Sequence, residues 1–172
     1  DPNPVVFLEN EILYGQSFPV PKLDDYVVPI GKAKVVRAGK DVTIASWSMG
    51  MSYALKAADE LAKENIEAEV IDLRTLKPMD VEAIVESVKK TGRLVTVEEG
   101  WRQSGVGAEI AASVTDQAFD WLDAPVARVC GQDVPMPYAA NLEKLALPSV
   151  EQVVAAVKSV CYRELRSWNK PP

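Results

Sequence analysis

The sequence of 172 residues contains no histidine. Histidine is the usual general base near neutral pH and the commonest protein ligand for metals. Its absence excludes a Ser-His or Cys-His nucleophile and most zinc sites. Acid–base chemistry would have to come from carboxylates, Lys or Tyr, so for a domain of this size the composition favours assembly over catalysis.

Cysteine and positive charge are also scarce. Two cysteines, Cys130 and Cys161, do not predict a disulfide framework or a zinc site and fit a reducing compartment. With 19 Lys and Arg against 25 Asp and Glu, the formal net charge is −6, and no basic cluster stands out. We therefore expect no nucleic-acid partner. No stretch is long and apolar enough to span a bilayer, so we expect no membrane partner.

What the sequence does contain is a regular alternation of predicted strands and helices. We predict strands over residues 5–8, 26–30, 33–37, 42–47, 68–73, 94–97 and 126–130. The predicted helices are one capped by Ser48 or Ser52 that runs to about Glu64, one capped by Asp80 that ends at Gly92, one that begins near Gly105 or Gly107 and runs through Phe119, and one from Ser149 to about Cys161. Ser149 and Gln152 have the spacing of a capping box at the start of the last helix. Gly39 and its neighbours predict a hairpin between the third and fourth of these strands. This pattern predicts an α/β three-layer sandwich with a mixed, mostly parallel sheet and an antiparallel edge.

The same pattern divides the chain into three parts. Residues 1–25 are predicted to be an irregular interdomain linker with a short strand, and residues 26–163 a single domain. Residues 164–172 are predicted to be a flexible tail.

A proline-rich loop follows the last predicted strand. Pro135 and Pro137 fix the backbone and withhold donors, so residues 134–138 are predicted to be a stiff, extended connector. A short helical turn is predicted over residues 141–145. Such a loop would present Met136 and Tyr138 to a partner, or seat them against one.

Two groups of residues are candidates for chemistry. The glycine-rich run Gly100–Gly107 joins a strand to a helix, where an open α/β sheet binds ligands, but close helix–strand packing is the favoured interpretation. Glu98 and Glu99 point to opposite faces of their strand, which favours a salt-bridged or solvated strand end over a catalytic pair. Glu9 and Glu11 point the same way and could share a site or bridge to a neighbouring domain.

Loop residues supply the candidates for a partner surface. Asp123 precedes a strand and is held by Pro125, so it is predicted to form a turn, with steering of a basic partner as the alternative. Among the large side chains, Trp101 and Tyr138 lie on predicted loops and are the better interface candidates.

Seven segments resemble one family. They are Asn3–Glu11, Leu13–Gly15, Pro29–Ala33, Ile71–Pro78, Val97–Gly100, Leu122–Pro125 and Asp133–Glu143. In this order they look like the carboxy-terminal half of the beta subunit of the thiamine-dependent component of pyruvate dehydrogenase. Two residues depart from that pattern, Cys130 where a Thr is expected and Arg102 where a Pro is expected.

The resemblance implies a transketolase C-terminal-like domain that contributes no catalytic, cofactor-binding or metal-binding residue of its own. Thiamine diphosphate and magnesium would bind in the full enzyme and not to this chain alone. The implied partners are the alpha subunit, a second beta subunit and the peripheral binding domain of the dihydrolipoyl acyltransferase. The partner-binding candidates are Asp123, Tyr138, Met136, Trp101 and Arg163. The implied location is the mitochondrial matrix, with the bacterial cytoplasm as the alternative.

Two other interpretations remain open. One is a self-contained small-molecule-binding α/β domain that uses the crevice at Gly100–Gly107. The other is the equivalent domain of a branched-chain oxoacid dehydrogenase, because substrate choice in such enzymes rests mainly on other domains.

Overall fold

The computed structural model describes residues 2–22 and 24–163. Five strands form one sheet: β1 (Lys34–Arg37), β2 (Val42–Ser46), β3 (Ala68–Asp72), β4 (Leu94–Trp101) and β5 (Ala127–Gly131). The helices are α1 (Gly50–Lys63), α2 (Val81–Thr91), α3 (Val106–Ala118), α4 (Ala140–Ala146) and α5 (Val150–Val160), with 3₁₀ helices at Glu11–Gly15 and Phe119–Trp121. The predicted tail, residues 164–172, lies outside the described residues.

The strand order in the sheet is β1-β3-β2-β4-β5. Strands β2, β3, β4 and β5 run parallel, and β1 pairs antiparallel with β3 at one edge. Strand β3 lies on one side of β2, and the next strand, β4, lies on the other side. The carboxyl ends of β2 and β4 therefore flank a topological switch point. This confirms the predicted mixed, mostly parallel sheet with an antiparallel edge.

Apolar side chains cover both faces of the sheet. On one face α1 and α5 pack over β2, β3 and β4 through buried residues such as Ile44, Leu61 and Val157. On the other face α2 and α3 pack through Ile71, Ile84, Ile110 and others. A sheet between two helical layers is the predicted three-layer sandwich.

Helix ends follow the sequence signals in two cases. The Asp80 carboxylate accepts a hydrogen bond from the amide of Ala83 and caps α2, which ends at the left-handed Gly92. Ser149 and Gln152 form the predicted capping box at the start of α5. The prediction of Ser48 or Ser52 as the cap of α1 is wrong, because Met49 occupies that position and no side chain caps the helix.

The predicted hairpin is also wrong. Strand β1 pairs with β3 and not with β2, so the 38–41 segment crosses the end of β3 and does not reverse the chain beside its own strand. A Cβ atom on Gly39 would come within 2.2 Å of the backbone of Ala68 and Glu69. Gly39 is therefore required by a close backbone approach and not by a left-handed turn.

Residues 2–22 and 24–30, called the arm below, contain neither of the two strands predicted for them. Within residues 2–22 and 24–163, the segments 5–8 and 26–30 pair with no strand, and the regular structure of the arm is the 3₁₀ helix at Glu11–Gly15. Residues 31–163 are called the body. Among the described residues, no helix has the length and apolar composition that a transmembrane span requires.

The proline-rich loop is non-helical, as predicted. Residues 132–139 are non-helical, and the amide of Gln132 donates to the carbonyl of Ala146 at 2.8 Å, which ties the two ends of the segment together. Helix α4 follows at residues 140–146, within a residue of the predicted turn.

Candidate functional site

A crevice of about 430 Å³ opens at the carboxyl ends of β2 and β4, where the sheet topology switches. Its wall combines the turn after β2 with the glycine-rich turn after β4. The lining residues are Trp47, Ser48, Met49, Gly50, Glu98, Glu99, Gly100, Trp101, Gln103, Ser104, Gly105 and Val106. This is the place where an open α/β sheet usually binds a ligand.

Glu98 fills the inner wall of this crevice. Its side chain is 3% exposed, and its carboxylate accepts hydrogen bonds from the amide of Gly107 at 3.0 Å and from the Arg128 guanidinium at 3.2 Å. The carboxylate thus takes up an amide at the amino terminus of α3, where an external anion would otherwise bind.

The glycines of the run pack around this carboxylate. A Cβ atom on Gly105 would lie 2.7 Å from a Glu98 oxygen, and one on Gly107 would lie 2.6 Å from the other. Side chains at these two positions would displace Glu98 or the helix. The packing interpretation of the glycine run is confirmed.

Glu99 faces the opposite side of the strand, as predicted. Its carboxylate accepts hydrogen bonds from the Tyr53 hydroxyl at 3.1 Å and from the Asn10 side-chain amide at 3.2 Å. Burial, together with the Glu99 carboxylate, raises the pKa of Tyr53 to about 12, so the phenol stays protonated and donates. Glu98 and Glu99 therefore bind separate parts of the structure from opposite faces of β4.

The two acids of the arm, Glu9 and Glu11, have different surroundings. Glu9 accepts a hydrogen bond from the Tyr14 hydroxyl, and this bond raises the pKa of Tyr14. Glu11 lies in the first turn of the 3₁₀ helix that the Asn10 side chain caps. Both carboxylates are exposed.

The predicted partner-binding residues lie at opposite ends of the parallel strands. The end that carries Trp101, Met136 and Tyr138 is called the carboxyl edge below, and the end that carries Asp123 and Arg163 is called the amino edge. Trp101 pairs with Gly131 at the carboxyl ends of β4 and β5, and Met136 and Tyr138 lie on the loop that follows. Asp123 precedes β5, whose five residues span about 13 Å. Arg163 follows Tyr162, whose hydroxyl donates to the Asp123 carbonyl, so Arg163 lies toward the same end of the strands as Asp123.

The carboxyl edge presents exposed apolar side chains. Tyr138 is fully exposed, and Met136 and Trp101 are more than half exposed. A stiff loop that holds large side chains in solvent is typical of a surface that contacts another molecule.

The amino edge combines an acid with an apolar groove of about 540 Å³. Asp123 and Pro125 lie on its rim with Phe119, which is largely exposed. The Asp123 carboxylate is 60% exposed and pairs with Arg93 at 3.3 Å, and the Asp123 amide donates to the Gly92 carbonyl. Asp123 therefore makes these contacts with the distant residues Gly92 and Arg93 and not with its own turn, and its carboxylate remains accessible.

Neither cysteine is poised to react. Cys130 and Cys161 are free and partly buried, and burial raises the pKa of both thiols, which keeps them protonated at neutral pH. Among the described residues, no three His, Cys, Asp or Glu side chains come together to hold a metal ion.

Sequence reasoning missed the Glu98–Arg128 ion pair. The signal was an arginine inside a strand of otherwise apolar residues, 126–130, because a charge at a buried position requires a partner. It also missed the contact of Asn10 with Glu99, which joins residues 89 positions apart and leaves no local pattern.

The sequence profile of the transketolase C-terminal domain family matches residues 31–153. Among curated proteins, the chain is 68% identical over 163 residues to a pyruvate dehydrogenase E1 component subunit beta of Rhizobium meliloti (strain 1021), with 95% of this chain and 35% of that protein covered. It is 61% identical to the mitochondrial subunit beta-1 of Arabidopsis thaliana, with 95% and 46% covered. The chain thus spans less than half the length of either relative.

Among solved structures, the chain is similar to a split-gene transketolase described as an inactive beta4 tetramer. The TM-score is 0.69 at 36% sequence identity, with 84% of this chain and 46% of that chain covered. A 2-oxoglutarate:ferredoxin oxidoreductase from Magnetococcus marinus has a TM-score of 0.51 at 18% identity, with 76% and 19% covered, and shares the fold alone.

These findings confirm the resemblance to pyruvate dehydrogenase beta subunits that the sequence motifs indicated. The family profile covers 123 consecutive residues of the body, which is more than half of the chain. The chain belongs to the transketolase C-terminal domain family.

Proposed function

We propose that this chain is the carboxy-terminal assembly domain of a pyruvate dehydrogenase beta subunit. The supporting observation is the contrast between its crevice and its surface. The glycine-rich turn of the crevice is filled by the Glu98 carboxylate, whereas Trp101, Met136 and Tyr138 are held in solvent. The domain acts by contacting other chains and supplies no reacting group.

Thiamine diphosphate and magnesium belong to the complete enzyme in this proposal. The side chains that line the crevice do not fit this cofactor, because the negatively charged diphosphate would lie beside the carboxylates of Glu98 and Glu99. The described residues also offer no cluster of ligands for magnesium. No catalytic step is assigned to residues of this chain.

The partners in this proposal are the alpha subunit, a second beta subunit and the acyltransferase core. The carboxyl edge, with its exposed aromatic and Met side chains, suits contact with neighbouring subunits in an alpha2-beta2 tetramer. The solved relative described as a beta4 tetramer supports self-association of such chains. Within the tetramer the domain would support oxidative decarboxylation of pyruvate and acetyl transfer to lipoyl groups.

The amino edge is the proposed docking site for the peripheral binding domain of the dihydrolipoyl acyltransferase. An accessible carboxylate beside an apolar groove suits a partner surface that combines basic and apolar side chains. Arg163 lies at the same edge and would contact acids of that partner. The relatives include bacterial and mitochondrial proteins, so the proposed location is the mitochondrial matrix or, for a bacterial host, the cytoplasm.

The alternative of a self-contained binding domain is less well supported. It requires free amides at the start of α3, and the Gly107 amide already binds Glu98. We propose pyruvate and not a branched-chain oxoacid as the substrate of the complete enzyme, because both relatives named above are pyruvate dehydrogenase subunits.

The docking proposal is tested by Asp123→Ala. Because Asp123 is exposed and already paired with Arg93, its loss should weaken binding of the peripheral domain by about twofold to fivefold, as for a surface ion pair. The matched control is Asp120→Ala, which removes another exposed acid three residues away and should leave affinity unchanged. Calorimetry on the assembled enzyme measures both, and equal affinities for the two variants would remove Asp123 from the docking site.

The assembly proposal is tested by activity. The isolated chain, given pyruvate, thiamine diphosphate, magnesium and an electron acceptor, should give no turnover. The assembled tetramer should give turnover under the same conditions. Turnover by the isolated chain would contradict the proposal.

A further inference from the structure

Asp123 is an exposed acid whose amide, carbonyl and carboxylate are all held by distant parts of the chain. The amide donates to the Gly92 carbonyl at 2.8 Å, the carbonyl accepts from the Tyr162 hydroxyl at 2.9 Å, and the carboxylate pairs with Arg93 at 3.3 Å. None of these partners is a sequence neighbour, and Tyr162 is 39 positions away. Because an exposed ion pair stabilises a fold only slightly, these contacts affect where the carboxylate lies more than they affect stability.

Gly92 allows the carboxylate to lie directly against the backbone. This glycine ends α2 with a φ of 70°, in the left-handed region. A Cβ atom at this position would lie 2.5 Å from Oδ2 of Asp123 and 3.0 Å from its Cγ. The carboxylate therefore occupies space that any other residue at position 92 would need for its own side chain.

Arg93, the next residue, joins that carboxylate to the rest of the body. Its Nε donates to the Val160 carbonyl at 3.0 Å, at the end of α5, and its Nη1 donates to the Asp41 carbonyl at 3.3 Å, just before β2. Its Nη2 lies 3.3 Å from Oδ2 of Asp123. Because the guanidinium is planar, the first two bonds fix the direction from which Nη2 approaches the carboxylate.

Gly92 and Arg93 both contact the same oxygen, Oδ2. A carboxylate has a second oxygen, and this arrangement directs Oδ1 of Asp123 toward a binding partner. The apolar groove with Phe119 and Pro125 on its wall lies beside it. A side chain that is held in one orientation before binding loses less conformational entropy when the partner arrives.

We infer that Gly92 and Arg93 are positioning residues of the docking site, which hold the Asp123 carboxylate in one orientation for a basic side chain of the peripheral binding domain. Both residues act through Asp123 and not through contact with the partner. The inference rests on the proposed function in taking the amino edge as the docking site. It extends that proposal by naming the residues that make the exposed acid a fixed one.

The test is a double-mutant cycle, measured by calorimetry on the assembled enzyme with the peripheral domain. Arg93→Gln should weaken docking by about twofold in the parent enzyme. In the Asp123→Ala background it should cause no further loss, because the carboxylate that Arg93 positions is gone. An equal loss in both backgrounds, or no loss in the parent enzyme, would overturn the inference.

Arg37→Gln is the matched control for the loss of a positive charge. Arg37 pairs with Asp59, and its side chain is 29% exposed, close to the 24% of Arg93. It lies on β1, at the opposite side of the sheet from β5, which Asp123 precedes. Arg37→Gln should leave docking unchanged, whereas a loss equal to that of Arg93→Gln would show a general effect of charge and contradict positioning.

Gly92→Ala is a second variant, which keeps the Arg93 guanidinium. Its Cβ atom should displace the carboxylate and weaken docking by about twofold, again only where Asp123 is present. The strain of alanine in the left-handed region is the same in both backgrounds, so the difference in affinity between them reports the carboxylate. Parent affinity in Gly92→Ala would refute the close approach as a positioning contact.

A measurement without the partner separates this inference from the docking proposal. The Hα–Hβ couplings of Asp123, measured by nuclear magnetic resonance, should be those of a single rotamer in the parent chain and should average in Arg93→Gln. Averaged couplings in the parent chain would overturn positioning and leave docking at the amino edge intact. Equal affinities of the parent enzyme and Asp123→Ala would overturn the docking proposal and this inference together.

Discussion

The body and the arm differ in the surroundings that they give to charged and apolar side chains. In the body, the buried carboxylates Glu69, Asp80 and Glu98 all have partners inside the molecule, and apolar side chains fill two cores. In the arm, apolar side chains of the same types remain in solvent. The body therefore has the contacts of a folded domain, whereas the described residues of the arm leave their large apolar side chains exposed.

The largest effect is expected where the body encloses a charge. Glu98→Ala leaves Arg128, whose side chain is 12% exposed, without its counter-charge, and should lower the free energy of unfolding by about 3–5 kcal/mol. Urea denaturation measures the loss. The control is Glu60→Ala, which breaks an exposed pair with Lys63 and should cost less than about 0.5 kcal/mol. Similar losses for both variants would show that the Glu98 pair is not a buried contact.

A matched pair of isoleucines compares the two regions directly. Ile110 is fully buried on α3, and Ile110→Ala should lower the free energy of unfolding by about 2–5 kcal/mol. Ile12, in the arm, is 68% exposed, and Ile12→Ala should change it by less than about 0.5 kcal/mol. A large loss for Ile12→Ala would mean that the arm packs against the body in solution.

A smaller effect is expected on acidification. Burial alone would raise the pKa of Glu69, but hydrogen bonds from Lys90, Ser87 and the Gly39 amide hold it below its ordinary value of 4.5. Because the folded-state pKa is the lower one, this carboxylate stabilises the fold above pH 4.5, and that contribution is lost as the pH falls below it.

Glu69→Gln, which cannot ionise, removes this dependence. Its free energy of unfolding should be lower than that of the parent chain at pH 7, and the two should converge as the pH falls through the lowered folded-state pKa of Glu69. Denaturation at several pH values measures the difference. A constant difference across this range would contradict the assignment.

The sequence predicted those elements whose signals are local. The capping residues Asp80 and Ser149, the helix end at Gly92 and the non-helical proline-rich loop each depend on signals within a few residues, and all appear as expected. The hairpin failed because the pairing of β1 depends on β3, which lies more than thirty residues further along the chain. The predicted strand at residues 5–8 is wrong because a strand needs a neighbour, and none of the described residues pairs with this segment.

In the candidate site, too, local features were predicted from the sequence and long-range contacts were not. The packing of the glycine run and the opposite faces of Glu98 and Glu99 follow from strand geometry, and both were predicted. Asp123 and Tyr138 lie at opposite ends of the strands because β5 runs between them, and this separation was not predicted. The hydrogen bond from Asn10 to Glu99 depends on how the arm contacts the body, and no local sequence pattern encodes that contact.

The central claim is that the crevice of the body is completed by its own side chains and is not a coenzyme site. It is tested most directly by nuclear magnetic resonance of the isolated chain during titration with thiamine diphosphate and magnesium. The account predicts that the amide signals of Gly100, Gly105 and Gly107 stay at their positions throughout. A saturable shift of these signals would contradict it.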